Sequence, residues 1–365
     1  MRLIIDCFKL VKGAGKSIGI YNLALNLVRE LASDTGGGHE IIVLGNAHNR
    51  SDFDVEGIRF VKVNGNPLNR LGCIFWELFA VSVTAKRMKA DKVLFPRGYA
   101  SMLHLTKECV IIHDMIPFYY HENFPGYFSR LENFYIMWRL RASARKADQV
   151  ITISEASKKD ILKYSHTDAD RITVIYNGYN AIESRQYEEA KEPYILAMTS
   201  GLPHKNAIGI VKSYAAYCRL TEEPIPLKII GIEDVSQLDV DKDISGNITC
   251  IKYVEKDAQL HQMIYAAKAF LFLSLVEGFG FPPIEAMQLG TPVICSDRSS
   301  LPEVVAEAAV CVDPEDYDRV AEAIKRVADN AIDTDELCRK CKANMARFDW
   351  EKTGRKYREV LFEWN

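Results

Sequence analysis

Short apolar runs rich in Val, Ile and Leu recur along the chain. Stretches in which apolar residues return every three or four positions separate them. In the first half the strand candidates are RLIIDCF (2–8), EIIVLG (40–45), IRFVKV (58–63), KVLF (92–95), CVII (109–112), QVITIS (149–154) and ITVIY (172–176). In the second half they are YILAM (194–198), PLKII (226–230), NITCIK (247–252), AFLFL (269–273), PVICS (292–296) and AVCV (309–312). These runs are apolar on both faces, as strands covered by helices on either side must be. Strand and helix in alternation predict parallel α/β units. YNGYNAIESRQYEEAKEP (176–193) is polar, contains Gly178 and ends near Pro193, so it reads as a linker. The pattern predicts two doubly wound domains, 1–180 and 190–349, then a terminal helix at about 350–365 with Trp350, Tyr357, Val360 and Leu361 as its apolar positions. Open sheets of this kind bind ligands beyond the carboxyl ends of their strands, which places the natural site in the cleft between the domains.

The first strand runs into KLVKGAGKSIGIYNLALNLVREL, where Gly15-Lys16-Ser17 suggests a nucleoside-triphosphate loop. That loop needs a first glycine with four residues between it and Gly15, and Leu10 stands there. The dinucleotide fingerprint fails as well, because Ile18 takes its third glycine position. What remains is a glycine-rich turn feeding a helix that Ser17 can cap, with Ile20, Leu23, Ala24, Leu27, Val28 and Leu31 as its apolar face. Such a turn is either a phosphate contact or a plain tight turn.

At 365 residues the chain exceeds one ordinary core, which supports two domains. A net charge of −3 argues against a general nucleic-acid binder. MRLIIDCFKL is too short and mixed for a signal peptide, and no long apolar run is present, so a cytoplasmic protein is expected. Nine scattered cysteines read as small buried residues of a reducing compartment. Cys338 and Cys341 form a C-x-x-C without a second pair, which reads as structural.

The segment LFLSLVEGFGFPPIEAMQLGTPVICSDRSSLPEVV (271–305) carries the chemistry. A strand delivers Ser274, Glu277 and the turn Gly278-Phe279-Gly280. Pro282 and Pro283 open a helix whose first turn should hold Glu285, next to free N–H groups and the positive end of the dipole. Gly290 stops that helix, and Ser300 with Glu303 reads as a capping box. Glycines let backbone N–H groups approach a ligand, and two carboxylates accept from hydroxyls. The expected ligand is polar, anionic and rich in hydroxyls.

Glu277-x7-Glu285 within EGFGFPPIEAMQLGTPVI resembles the signature of the family-4 retaining glycosyltransferases of GT-B fold, two doubly wound Rossmann-like domains facing across a cleft. VITISEASKKDIL, ITVIYNGYN, LPHKN and FDWEKTG resemble further segments of that family, and the similarity spans nearly the whole chain, weakest over roughly 45–105. The resemblance implies a donor-binding C-terminal domain and an acceptor-side N-terminal domain on which the last helix packs back. It implies that Glu285 binds the donor ribose. Glu277 faces the donor sugar, and Gly278, Phe279 and Gly280 offer backbone N–H groups to it; Phe279 reads equally as a packing residue. Lys205, before the helix that Asn206 caps, would hold the diphosphate. Many relatives place an arginine five or six residues upstream, where this chain has Ser200 and Thr199. Gly19 falls at the family's phosphate-loop glycine, which makes Gly15-Lys16-Ser17 a chance likeness.

HDMIPFYYHENFP resembles a segment of mannosyl- and related hexosyl-transferases. There His113 would contact the donor sugar, and Asp114 would orient it or cap the next loop. Arg97 in FPRGY is an acceptor-side candidate. The reaction implied is transfer of a hexosyl unit from a GDP- or UDP-sugar to a glycan or lipid-linked acceptor, mannose being weakly preferred. DFD (52–54), DVD (239–241) and DAD (168–170) do not stand at strand ends, so neither metal nor cofactor is expected. A GT-B epimerase or phosphorylase, or a non-catalytic sugar-nucleotide-binding subunit, would keep the same fold. Two segments, NRLGCIFWELFAVSVTAKRMKAD and YFSRLENFYIMWRLRASARKAD, combine aromatics with arginines and lysines. They read as core-packed helices in preference to peripheral contacts with an anionic membrane.

Overall fold

The computed structural model describes residues 1–13, 18–33, 38–182, 192–236, 238 and 242–363. Its contacts divide into unit 1, Met1–Tyr179 with Phe348–Asn365, and unit 2, Asn180–Arg347. The first boundary lies inside the polar stretch 176–193.

Unit 1 runs β1 (Arg2–Asp6), α1 (Ile18–Ala32), β2 (Glu40–Gly45), α2 (Arg50–Phe53), β3 (Arg59–Lys62), α3 (Arg70–Phe75), a π-helical turn (Trp76–Ala80), α4 (Val81–Arg87), β4 (Lys92–Phe95), β5 (Lys107–Ile112), α5 (Ile116–Asn123), α6 (Arg130–Lys146), β6 (Gln149–Thr152), α7 (Glu155–Ser165) and β7 (Ile172–Val174). Its strands form one parallel sheet in the order β3-β2-β1-β4-β5-β6-β7. The order reverses between β1 and β4, so the chain leaves a crevice at their carboxyl ends. Ile42, Ile4 and Val93 stand in register across the sheet, as do Phe95, Val110 and Val150 two residues further on, and all are buried.

Unit 2 runs β8 (Ile195–Met198), α8 (Ala207–Cys218), β9 (Leu227–Ile230), α9 (Lys242–Ser245), β10 (Ile248–Ile251), α10 (Asp257–Ala266), β11 (Ala269–Phe272), α11 (Phe281–Gln288), β12 (Val293–Ser296), α12 (Leu301–Val305), β13 (Val310–Val312), α13 (Tyr317–Ala328) and α14 (Thr334–Met345). Its parallel sheet has the order β10-β9-β8-β11-β12-β13, reversing between β8 and β11. All the expected strands lie within two residues of their predicted ends. A fully buried apolar run, read by length and β-branching, leaves little other choice.

The chain then returns to unit 1 as α15 (Trp350–Arg358), which packs on α1. Asp349 caps it by accepting from Lys352 N. Thr353 donates to the Tyr176 carbonyl at 2.9 Å, and the buried Lys92 ammonium donates to the Leu361 carbonyl at 2.6 Å. Gly178 lies under Trp350, where a Cβ would come within 2.6 Å of the ring.

Candidate active site

In unit 2 two loops leave the sheet on either side of the β8/β11 reversal. The first passes through a 3-10 turn at Pro203–Lys205 into Asn206, which is left-handed and caps α8 by accepting from Gly209 N. The Asn206 amide also donates to the Leu273 and Pro314 carbonyls, tying this loop to the second. Leu275 N donates to the His204 carbonyl at 2.7 Å, a further tie. Lys205 Nζ therefore arrives 2.5 Å from Glu277 Oε1, with both side chains mostly buried.

The second loop is held from beneath by two serines that the sequence reading did not assign to the site. Ser299 Oγ donates to the Glu277 carbonyl at 2.8 Å and accepts from Glu277 N at 3.3 Å. Ser300 Oγ donates to the Glu277 and Phe279 carbonyls at 3.0 and 2.8 Å. Ser300 starts α12 without capping it, so the expected box with Glu303 is corrected: its hydroxyl serves the glycine turn instead. No local pattern announces that use, because the partners are more than twenty residues upstream. Phe279 is buried against Phe281, which gives it the packing role. Gly280 has φ +113°, and a Cβ there would sit 2.6 Å from Leu301, so only glycine fits.

Glu285 needs a correction. The helix begins at Phe281, which puts Glu285 in its second turn, past the free N–H groups. Burial, with a smaller push from Asp257, raises its carboxyl to about 7, so no dipole effect dominates. Lys205 and Glu277 lie together at the strand ends, and Glu285 follows on the helix that the glycine turn opens.

In unit 1 the β1/β4 crevice gathers Asp6, Lys9 and Arg97. Glu77, from the π-helical turn, accepts Lys9 at 3.2 Å and lies 3.7 Å from Arg97. Asp6 accepts from Trp76 Nε1 at 3.0 Å and from Phe8 N; burial lifts its carboxyl to about 6 against those bonds. His113, at the end of β5, places Nε2 2.8 Å from the Pro96 carbonyl, so Nε2 carries the proton. Burial lowers its pKa to about 4. Asp114 accepts from Ile116 N at the start of α5, the capping role of the two expected. Asp6, Lys9 and Glu77 were missed because one is the last residue of an apolar strand and the others become neighbours only through the fold.

Gly19 is also corrected: it is the second residue of α1, exposed, with nothing within 4 Å of a Cβ built there, and not part of a loop. Gly15, Lys16 and Ser17 lie outside the described residues, as does 239–241 of DVD. Among the described residues no three His, Cys, Asp or Glu groups gather to hold a metal ion. Asp52 of DFD accepts from Tyr21, and Asp54 pairs with Arg50.

Residues 180–348 match the family described as glycosyl transferases group 1, and residues 19–182 match glycosyltransferase family 4. The chain is 29% identical over 270 residues to the O-antigen chain mannosyltransferase RfbU of Salmonella typhimurium, covering 72% of this chain and 73% of that one. It is 28% identical over 263 residues to O-antigen chain mannosyltransferase B of Escherichia coli, 68% of each. In structure it is similar over its whole length to Anabaena Alr3699/HepE, solved in complex with UDP-glucose, with a TM-score of 0.70 and 16% identity.

Proposed function

The chain belongs to the group 1, family 4 glycosyltransferases and has the GT-B fold, and from that premise we propose that it moves a hexosyl unit from a nucleotide-diphospho sugar to a glycan hydroxyl with retention of configuration. The carrying observation is the Lys205–Glu277 pair across the β8/β11 reversal, beside the serine-held glycine turn. Transfer separates charge: the sugar gains oxocarbenium character and the leaving diphosphate gains negative charge. Lys205 meets the diphosphate, and fixed N–H dipoles of the glycine turn add to it, at a site prepared before reaction. Glu277 faces the sugar and offsets its positive charge. Glu285 accepts from the ribose hydroxyls.

Lys205 and backbone N–H groups do here what a divalent ion does elsewhere, so transfer proceeds without metal. His113, neutral and with Nε2 committed to Pro96, positions the sugar. The leaving phosphate then takes the acceptor proton on the face it departs from. The HDMIP segment and two relatives named mannosyltransferases favour mannose, with GDP-mannose preferred to UDP-sugars.

Incubation with a panel of GDP- and UDP-sugars tests the reading. Slow release of nucleoside diphosphate is expected. Free epimerised sugar, or binding without turnover, would replace the transferase with an epimerase or a non-catalytic binding subunit.

A further inference from the structure

We propose that Arg298 is a positioning residue of the site: its guanidinium, forked onto Asp313 and Glu315, holds the Ser299–Ser300 turn that supports Glu277 and the glycine turn. Only its effect on turnover rests on the transferase reading. β12 and β13 run parallel with Ser296 opposite Val312, and Asp297 N extends the ladder by donating to the Val312 carbonyl at 2.9 Å. Two loops thus leave the sheet side by side. On the first, Arg298 N donates to Ser296 Oγ at 3.1 Å, and the side chain crosses to the second. There Nη2 donates to Asp313 Oδ1 at 2.7 Å, and Nη1 lies 2.7 Å from Glu315 Oε2. Both terminal nitrogens are engaged by carboxylates. Arg298 therefore acts on its neighbours in the chain and is not a second diphosphate contact.

What the fork holds is strained. Ser299 is left-handed, with φ +58°, a conformation that costs a residue with a Cβ and persists only where its surroundings fix it. This turn of backbone directs both serine hydroxyls back under Glu277 and Phe279. On its far flank Leu301 packs close against Gly280. Arg298 secures the near flank. Its anchor is itself pinned. The Pro314 carbonyl, between the two carboxylates, accepts from Asn206 Nδ2 at 3.2 Å. Asp313 Oδ1 also accepts from Glu315 N at 3.0 Å, and Asp316 caps α13. Asn206 follows Lys205, so the corner 313–315 is shared by the lysine loop and the serine turn. A partly exposed ion pair adds little to global stability. A planar fork bridging two carboxylates fixes direction instead, which the point charge of a lysine does not.

Hydrogen exchange, melting and kinetics of the whole chain test this. In Arg298→Ala the amides of 277–280 should exchange about tenfold faster than in wild type, since local opening is set by the contacts that close a segment. Its kcat should fall about tenfold, with nucleoside-diphosphate affinity changed by less than about threefold and the melting temperature kept, as a small misplacement of the reacting groups requires. Arg298→Lys, which keeps the charge without the fork, should fall between. Asp313→Asn/Glu315→Gln should match Arg298→Ala, and the triple variant should lose no more, because members of one network do not add. Lys325→Ala, from the ion pair with Asp329 at the other end of α13, should leave exchange, kcat and affinity as in wild type. Wild-type exchange at 277–280 in Arg298→Ala would overturn the proposal. So would additive losses in the triple variant, or a loss of kcat matched by a fall in melting temperature. Absence of turnover with every donor would remove the transferase reading, and the exchange result would still decide Arg298.

Discussion

Lys205 Nζ and Glu277 Oε1 lie 2.5 Å apart although 72 residues separate them in sequence, because β8 and β11 are neighbours at the point where strand order reverses. Removing the cation takes away the proposed diphosphate contact and leaves Glu277 with an unopposed charge in a mostly buried place. Lys205→Ala should weaken binding of the nucleoside diphosphate about ten- to a hundredfold, since charge-assisted hydrogen bonds are worth about 1.5–3 kcal/mol. Glu277→Gln added to it should restore part of any lost thermal stability, because neighbours in one ion pair do not add. Calorimetry giving Lys205→Ala the wild-type affinity would remove Lys205 from the site.

Ser300 is fully buried and its hydroxyl supports two loop carbonyls. Ser300→Ala should cost about 1–3 kcal/mol, the desolvation of an acceptor left without a donor. Turnover should fall more than nucleotide affinity, since the carbonyls belong to Glu277 and Phe279 and not to the Lys205 loop. Steady-state kinetics beside a melting curve check both. Unchanged kcat in a stably folded variant would reduce the serine to packing.

Glu285 supplies a pH dependence with a definite sign. Its folded pKa is about 7, above the ordinary value of 4.5, because burial disfavours the charge. If, as proposed, the ionised form accepts the ribose hydroxyls, donor affinity should rise as pH climbs through about 7 and then level. At pH 6 roughly one carboxyl in ten is ionised, which makes binding about tenfold weaker than at pH 8. Glu285→Gln should flatten that profile. Calorimetric titrations at both pH values decide it, and an equal slope in the variant would assign the dependence to another group.

The terminal helix is held by a close approach that predicts its own fragility. Gly178→Ala would press a methyl into the Trp350 ring, and overpacking of this kind costs about 1–3 kcal/mol. Trp350→Ala in the same chain should recover part of the loss. A melting temperature unchanged by Gly178→Ala would show that α15 shifts freely.

The sheets were legible because a strand buried on both faces must be apolar throughout, and Ile4, Val93 or Leu271 fits nothing else. The position of Glu277 and the glycine turn at a strand end was legible because strand, glycine turn and helix lie consecutively in the chain; the pairing of Lys205 with Glu277 was not, since 72 residues separate them. Ser299, Ser300, Asp6 and Glu77 were not, since each acts through a partner that only the sheet order brings near. Glu285 fell just past the first turn because prolines mark a helix start only to within a residue or two, and Gly19 was read as a loop glycine from the family pattern although the Ser17 cap already put it inside α1. The segments of α3 and α6 were taken for core-packed helices, yet Leu71, Phe75, Leu131 and Phe134 face water, because a period shows which residues share a face and not whether another layer covers it.

The stereochemical outcome depends on what His113 can do. An inverting transferase needs a base opposite the leaving group, able to take the acceptor proton near neutral pH. His113 is the obvious contender in unit 1, yet burial holds its pKa near 4 and Nε2 donates to the Pro96 carbonyl at 2.8 Å. A group of that pKa is neutral across pH 5–8 but a poor acceptor, and only Nδ1 remains to it. The retaining route asks less: the departing phosphate takes the proton, and the ring only positions the sugar. His113→Ala should therefore lower the rate about ten- to a hundredfold and leave measurable transfer. At saturating donor, where the effect of Glu285 on affinity drops out, the pH–rate profile of wild type should show no limb near 6.5. Glu277→Gln should cost more, through the charge lost beside the oxocarbenium. Proton NMR of fresh product should show the anomeric configuration of the donor. An inverted anomer, together with complete loss of transfer in His113→Ala, would make His113 the base and overturn the retaining mechanism.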